Sequence, residues 1–308
     1  MFKTKKVLVS AIALALFATT GIQPSTAAPK NQARAVVQAD WLEQNVDNPK
    51  VRIIEVSTEP GIYERGHIKN AAKIVWHTDL VDTVNRDIAS AKNFQRLAQR
   101  IGINQDTTIV LYGDKNNWFA AWGAWLFNIY GAKDVRILDG GRVKWEKDGR
   151  ALTTAVPAFK TGNFTTRVAD KSLRATLLQD VLPVAKKRVK ADLIDIRGAD
   201  EFSGKIFAAP GFQELAVRAG HIPGAINVPW GQNVNADGTF KTVAELRKLY
   251  ADKGVDGKQN ITTPLFGLNE SKLNSSYVMM FLLCILSILF PSHNIYLFAP
   301  SARLYRDI

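Results

Sequence analysis

The chain has 308 residues, of which 46% are hydrophobic and 22% charged, and its formal net charge is +12. This composition excludes a wholly disordered chain, and the length suffices for two domains of ordinary size. The single cysteine excludes an internal disulfide framework. The positive charge suits an anionic small substrate or an anionic surface, although a diffuse solvated excess of charge is the simpler explanation. No basic stretch interleaved with aromatic residues indicates nucleic-acid binding.

The first 27 residues have the pattern of a secretory signal peptide. A basic start, MFKTKK, precedes an apolar run, VLVSAIALALFATTG, and Ser25-Thr26-Ala27 supplies small residues at the cleavage point. We therefore predict that residues 1–27 are removed and that the mature chain is exported, to a periplasm or the cell surface. The alternative is an uncleaved membrane anchor.

The remainder of the chain repeats itself. Gly66-His67-Ile68-Lys69-Asn70-Ala71 recurs as Gly220-His221-Ile222-Pro223-Gly224-Ala225, and a tryptophan (Trp76, Trp230) follows each copy by five residues. In both copies a strand-like run comes before this motif, and a helical stretch and a second strand-like run come after it. Such alternation predicts two α/β units, each with a mainly parallel sheet. The successive segments are 51–57, 93–102 and 107–113 in the first copy, and 191–198, 242–254 and 260–267 in the second.

The first copy continues through a helix and a further strand, DVRILDGG (134–141). The helix carries its apolar residues on one face, and we interpret this stripe as core rather than as a ligand site. The stripe consists of Trp118, Ala121, Trp122, Trp125, Leu126 and Ile129. Residues 151–185 connect the two copies.

The repeated motifs resemble those of the tandem rhodanese domains of exported thiosulfate sulfurtransferases. The similarity rests on GHIPGAINVPW (220–230) and its degenerate partner, on Asp195-Ile196-Arg197 followed by EFSG (201–204), and on LDGGRVKW (138–145). The resemblance implies an α/β fold of two rhodanese-like domains, whose parallel sheets are flanked by helices. Domain 1 would span residues 35–150 and domain 2 residues 186–263, entered through 151–185. It also implies a structural role for His221, which would fix a turn.

The chemistry that the resemblance implies depends on a cysteine thiolate. The thiolate takes the outer sulfur of thiosulfate, a small anionic partner, as a persulfide and passes it to cyanide or a thiol, with no metal or cofactor. Backbone N–H groups at a helix N-terminus stabilise the thiolate, and arginine steadies the sulfite. The cysteine belongs to a Cys-Arg-x-Gly-x-Arg-Ser loop in the second unit. The first unit has Tyr112-Gly113-Asp114-Lys115 there, as expected of a non-catalytic partner domain.

The second unit departs from this pattern. Aligning residues 107–114 with 260–267 puts the expected cysteine near Pro264, within about one residue, and neither cysteine nor arginine occurs in 265–271. Cys284 lies in an apolar run (277–290) that disfavours the thiolate, so we assign no catalytic residue. Arg197 is the one substrate-binding candidate, and its alternative role is a salt bridge to a carboxylate such as Glu201.

The tail from 264 to 308 is predicted to be a divergent apolar ending, without a counterpart of the strand at 134–141, so domain 2 would be incomplete. A frameshift, an insertion or a gene-model error would each produce it. As a helix, the run 277–290 would span about 21 Å of the roughly 30 Å hydrocarbon core, so a membrane span is not favoured over a replacement core segment or an exposed tail. We expect an inactive descendant of a sulfurtransferase; the alternatives are a non-catalytic binding module or a decayed, frameshifted product.

Overall fold

The computed structural model describes residues 35–82, 87–170, 173–174, 177–207, 219–255, 260–264 and 295–298. The predicted signal peptide, Cys284 and the run 277–290 lie outside the described residues. Within them, no helix has both the length and the apolar character needed to cross a membrane. Two parallel sheets flanked by helices confirm the α/β class.

The first unit is built on a five-stranded sheet in the order β1-β7-β6-β2-β3, with every neighbouring pair parallel. Strands β4 and β5 form a separate antiparallel pair. The strands are β1 (Val36–Val37), β2 (Val51–Glu55), β3 (Ala72–Lys73), β4 (Val81–Asp82), β5 (Asp87–Ile88), β6 (Thr108–Tyr112) and β7 (Asp134–Leu138). The helices are α1 (Ala39–Asn45), α2 (Ile62–Arg65), α3 (Ala91–Arg100), α4 (Trp118–Ile129) and α5 (Gly141–Lys147).

The second unit has a four-stranded parallel sheet in the order β11-β10-β8-β9. Its strands are β8 (Ala191–Asp195), β9 (Ala225–Asn227), β10 (Asn260–Pro264) and β11 (Ile295–Phe298), and its helices are α6 (Leu182–Ala185), α7 (Ala199–Phe202) and α8 (Val243–Ala251). At the start of α8, Thr242 and Glu245 form the reciprocal capping box that the sequence indicates.

The sequence repeat is also a repeat of strand register. In the first unit, Ile54 pairs with Ala72 and Glu55 with Lys73. In the second, Ile194 pairs with Ile226 and Asp195 with Asn227. These pairs occupy matching positions in the two copies of the motif, so Glu55 and Asp195 are structural equivalents at the carboxyl ends of their strands.

Helix α4 is the centre of the core, as its aromatic stripe predicts. Burial extends around the helix, since every residue except Trp118 and Asn128 is buried. Gly123 permits close approach to the sheet, because a Cβ there would lie 2.8 Å from Leu111 Cδ2. Trp118 instead contacts the second unit, where its ring meets that of Trp230 edge-to-face with centroids 4.1 Å apart. The helix therefore supports its own sheet and also joins the two units.

The prediction that the tail lacks a counterpart of the 134–141 strand is wrong. Strand β11 lies parallel to β10 with Ile261 paired to Ile295, just as Ile109 of β6 pairs with Val135 of β7. The four residues of β11, Ile-Tyr-Leu-Phe, are all of types that suit a strand, and they occupy an edge of β10 that would otherwise leave backbone groups unpaired. The altered ending thus restores a strand in the place of β7.

Stability is expected to differ between the two units. Helix α4 gives the first unit several large buried side chains, each of which contributes about 1.5–3 kcal/mol to the free energy of unfolding. Residues 264–308 do not repeat the sequence pattern of that helix. We predict that limited proteolysis cleaves the second unit first and leaves a resistant fragment containing residues 35–150. Mass spectrometry of the fragments identifies which half is cleaved first. Equal resistance of the two halves would contradict this expectation.

Candidate functional site

The candidate site lies at the carboxyl end of the second sheet, where β8 ends at Asp195 and the chain turns into Arg197. The two side chains form a buried ion pair, 2.6 Å from Arg197 Nη2 to Asp195 Oδ2, with the side chains 9% and 3% exposed. Arg197 Nε also donates to both carboxylate oxygens, at 3.0 and 3.2 Å. This bidentate geometry fixes the guanidinium beside the strand end.

The salt bridge that the sequence analysis gives as the alternative role of Arg197 is present, but its partner is Asp195 rather than Glu201. Asp195 lies two residues away at the end of β8. Glu201 instead accepts a long hydrogen bond, 3.4 Å, from the Gly198 N–H at the start of α7. Burial raises the pKa of Glu201, and the nearby charge of Arg197 only partly offsets this effect. Asp195 is the partner because Arg197 lies only two residues after it, so the turn at the end of β8 places the guanidinium beside the Asp195 carboxylate.

The three nitrogens of the Arg197 guanidinium differ in their hydrogen-bond partners. Nη2 makes a second hydrogen bond to the Gly220 carbonyl oxygen at 2.8 Å, and Nε is used by Asp195. Among the described residues, Nη1 has no hydrogen-bond acceptor. The adjoining backbone is held by Asn227, whose side-chain amide donates to the carbonyl oxygens of Asp195 and Arg197 at 3.0 and 2.9 Å. One edge of a fixed cation could therefore contact an anion.

The first unit satisfies the equivalent carboxylate from a different direction. Arg142 of α5 donates from Nη1 to both oxygens of Glu55, at 2.9 and 3.1 Å, and the two side chains are 3% and 1% exposed. Ser57, the counterpart of Arg197, contributes only a hydroxyl, which donates to Glu55 Oε1 at 2.8 Å. The sequence analysis missed this pair, although LDGGRVKW contains Arg142.

Tyr112 completes the buried network of the first unit. Its hydroxyl donates to Glu55 Oε2 at 2.5 Å and accepts from the Ile68 N–H at 2.9 Å. Burial raises the pKa of Tyr112 well above its usual value, and the charge of Glu55 raises it further. Burial also acts to lower the pKa of Arg142, but Glu55 and Glu146 raise it above its usual value. Tyr112 therefore stays neutral and Arg142 stays charged at neutral pH.

The loop after β6 fits the predicted non-catalytic role of the first unit. Asp114, 4% exposed, accepts hydrogen bonds from the Thr58 and Glu59 N–H groups at 3.1 and 2.8 Å. Lys115, Asn116 and Asn117 then adopt left-handed φ angles of 47°, 55° and 67°. The Asp114 carboxylate thus holds the neighbouring loop at Thr58 and Glu59 in place. An aspartate at this position supplies no nucleophilic thiol.

Strand register refines the position of the missing cysteine loop. Asn260 pairs with Ala191 as Thr108 pairs with Val51, so Pro264 corresponds to Tyr112, the last residue of β6. The sequence alignment was displaced by one residue, within the error stated for it. The loop itself would begin at Leu265, outside the described residues.

The two motif histidines make matching contacts, although His67 is buried and His221 is exposed. The His221 ring stacks on Phe202 with centroids 3.7 Å apart, and Nδ1 lies 2.8 Å from the Phe202 carbonyl oxygen. The His67 ring stacks on Tyr63 in the same way, at 3.8 Å, with Nδ1 3.0 Å from the Tyr63 carbonyl oxygen. Each histidine ties the motif to the helix before it, which is the positioning role inferred for His221.

The Glu55–Arg142 pair generates a stability prediction. We expect Arg142→Met to lower the free energy of unfolding by about 3–5 kcal/mol, because it strands a buried carboxylate. The matched control is Lys248→Met, which breaks the exposed Lys248–Asp252 pair and should cost less than about 1 kcal/mol. Urea denaturation measures both, and equal losses would show that Glu55 does not depend on Arg142.

Comparison with known proteins places these features in a family. The family model described as a rhodanese-like domain matches residues 38–148 and 180–263. The "Sulfur carrier protein TtuD" of Thermus thermophilus is 43% identical over 252 residues, which cover 80% of this chain and 87% of that protein. A protein of Mycobacterium tuberculosis named "Putative thiosulfate sulfurtransferase" is 48% identical over 225 residues, covering 73% of this chain and 80% of the relative.

A solved structure supports the same assignment. The crystal structure of SseA from Escherichia coli, described as a 3-mercaptopyruvate sulfotransferase with the rhodanese fold, superposes with a TM-score of 0.71 and 27% identity. The match covers 85% of this chain and 97% of SseA. This assignment agrees with the two matched segments, with the repeated strand registers and with the buried carboxylate at the equivalent strand end of each unit. The chain belongs to the rhodanese family as a tandem-domain member.

Proposed function

We propose that this chain descends from thiosulfate sulfurtransferases and does not itself transfer sulfane sulfur. Its relatives are named as a sulfur carrier and as thiosulfate sulfurtransferases, which supports the lineage. The observation that carries the loss of activity is the register of β10. It aligns Pro264 with Tyr112 at the strand end, and the residues that follow, Leu265-Phe266-Gly267, contain no thiol.

The reaction requires a cysteine thiolate, and Cys284 is the only cysteine in the sequence. The attacking sulfur must accept the outer sulfur of thiosulfate while sulfite leaves, so a cysteine has to stand beside the cation that steadies the sulfite. Arg197 is fixed at the end of β8, but the one cysteine, Cys284, stands between leucine and isoleucine in an apolar run. Such surroundings disfavour the charged thiolate.

The absence of activity is directly measurable. With thiosulfate and cyanide as substrates, we expect thiocyanate formation by the full chain to equal the protein-free background. Cys284→Ser is the matched control, and it should leave this result unchanged. A rate above background that survives Cys284→Ser would show that another group performs the transfer, and it would overturn the proposal.

Binding without catalysis is the second candidate, and the unshared Nη1 of Arg197 favours it. The ion pair with Asp195 presents a preformed guanidinium edge, which suits a small anion such as thiosulfate. Titration calorimetry should then detect heat with thiosulfate in the wild type. Arg197→Lys keeps the positive charge but removes the planar fork, so we expect binding to weaken at least tenfold, or about 1.4 kcal/mol. Retained affinity, with an unchanged melting temperature, would exclude Arg197 from the site.

The third candidate is a decayed or frameshifted product. A Cys-Arg-x-Gly-x-Arg-Ser loop in another frame of the gene beyond codon 263 would identify a frameshift, and the uninterrupted protein would then be the sulfurtransferase.

We also propose that the chain is exported, on the pattern of residues 1–27. N-terminal sequencing of the secreted protein should begin at Ala28.

A further inference from the structure

A basic turn leads into the central strand of the second sheet. Residues 186–190, Lys-Lys-Arg-Val-Lys, connect α6 to β8, and all five are exposed. Lys187, Arg188 and Lys190 form no ion pair with any described residue. Val189, 50% exposed, lies between them as an apolar side chain. Four basic side chains therefore lie within one turn of five residues.

Backbone hydrogen bonds give this turn a defined shape. The Lys187 N–H donates to the Val184 carbonyl oxygen and the Arg188 N–H to the Pro183 carbonyl oxygen, both at 2.8 Å. This is the paired Schellman arrangement that ends a helix, and it requires a left-handed residue at its centre. Lys187 takes that position with φ +57°.

A lysine at this position is unexpected on conformational grounds. Glycine adopts left-handed angles without steric cost, whereas a residue with a Cβ is strained there. The equivalent turn before β2 carries one basic residue, Lys50, and one acidic residue, Asp47, whose carboxylate pairs with Lys69. The Schellman turn needs a left-handed residue at its centre, but it does not need that residue to be lysine, because glycine would meet the requirement without strain.

We propose that the basic turn, residues 186–190, binds an anionic lipid surface. Lys187, Arg188 and Lys190 each add to the electrostatic attraction to acidic headgroups, and long basic side chains can flank an inserted apolar residue such as Val189. An acidic protein partner fits less well, because a specific protein interface needs a larger apolar centre. Among the large apolar side chains that the described residues expose, only Val189 lies in this turn.

The orientation of the sheet gives the contact a consequence. The turn precedes Ala191, at the amino end of β8, and Arg197 follows the carboxyl end. At about 3.3 Å per residue, the five-residue strand separates the two by roughly 17 Å. A chain held on a membrane by the basic turn would direct its Arg197 edge away from the lipid.

Vesicle co-sedimentation of the full chain tests the proposal. Phosphatidylcholine vesicles containing phosphatidylglycerol should retain the wild type, retention should fall with added salt, and phosphatidylcholine alone should retain much less. Each removed charge should lower partitioning about fivefold, so Lys187→Gln with Arg188→Gln should lose about 25-fold. The control is Lys92→Gln with Lys133→Gln, which removes two exposed lysines of the first unit and should bind as the wild type does.

A single substitution separates binding from folding. Lys187→Gly relieves the left-handed strain while it removes one charge, so the melting temperature should be maintained or raised while partitioning falls about fivefold. Equal losses in the two double variants would overturn the proposal, because they would show a general charge effect. Retention by immobilised poly-glutamate without retention by the acidic vesicles would also overturn it and would identify an acidic protein as the partner.

Discussion

The architecture of both units depends on a carboxylate buried at the carboxyl end of a central strand. Glu55 and Asp195 occupy the same register, and each is almost wholly removed from water. A buried carboxylate without a partner costs several kcal/mol, so each unit must place a cation beside it. The position of that cation decides how the surrounding loops are arranged and what each unit can do.

The two units meet this requirement in opposite ways. In the first, Arg142 reaches Glu55 from α5, and Tyr112 and Ser57 complete the shell. The contact joins three segments of the unit, which are β2 with the turn after it, β6 and α5. In the second, Arg197 comes from the same turn as Asp195. Because its partner is local, the ion pair ties no separate helix to the strand end, although Arg197 Nη2 also donates to the Gly220 carbonyl oxygen. The cation therefore comes from a distant helix in the first unit and from the adjoining turn in the second.

The altered ending affects chemistry and architecture differently. Backbone pairing is tolerant of sequence, so Ile295–Phe298 can occupy the edge of β10 in the register that β7 uses beside β6. The loop that carries the thiolate does not tolerate such sequence changes, because the reaction needs a sulfur atom at one position. The outline of the fold can therefore persist where the residues directly after β10 include no cysteine.

The sequence by itself determined the repeat, the α/β class, the buried aromatic helix and the lack of a cysteine in residues 265–271, directly after β10. These properties follow from local periodicity and from residue identity. Only the tertiary structure decided which carboxylate Arg197 pairs with, that Arg142 belongs to the equivalent network, and that a tail segment forms β11. Those contacts join residues far apart in the chain or depend on how a turn folds back, and no local pattern encodes them. Pro264 shows both limits: its identity excluded a nucleophile at that position, whereas its alignment with Tyr112 required the paired strands.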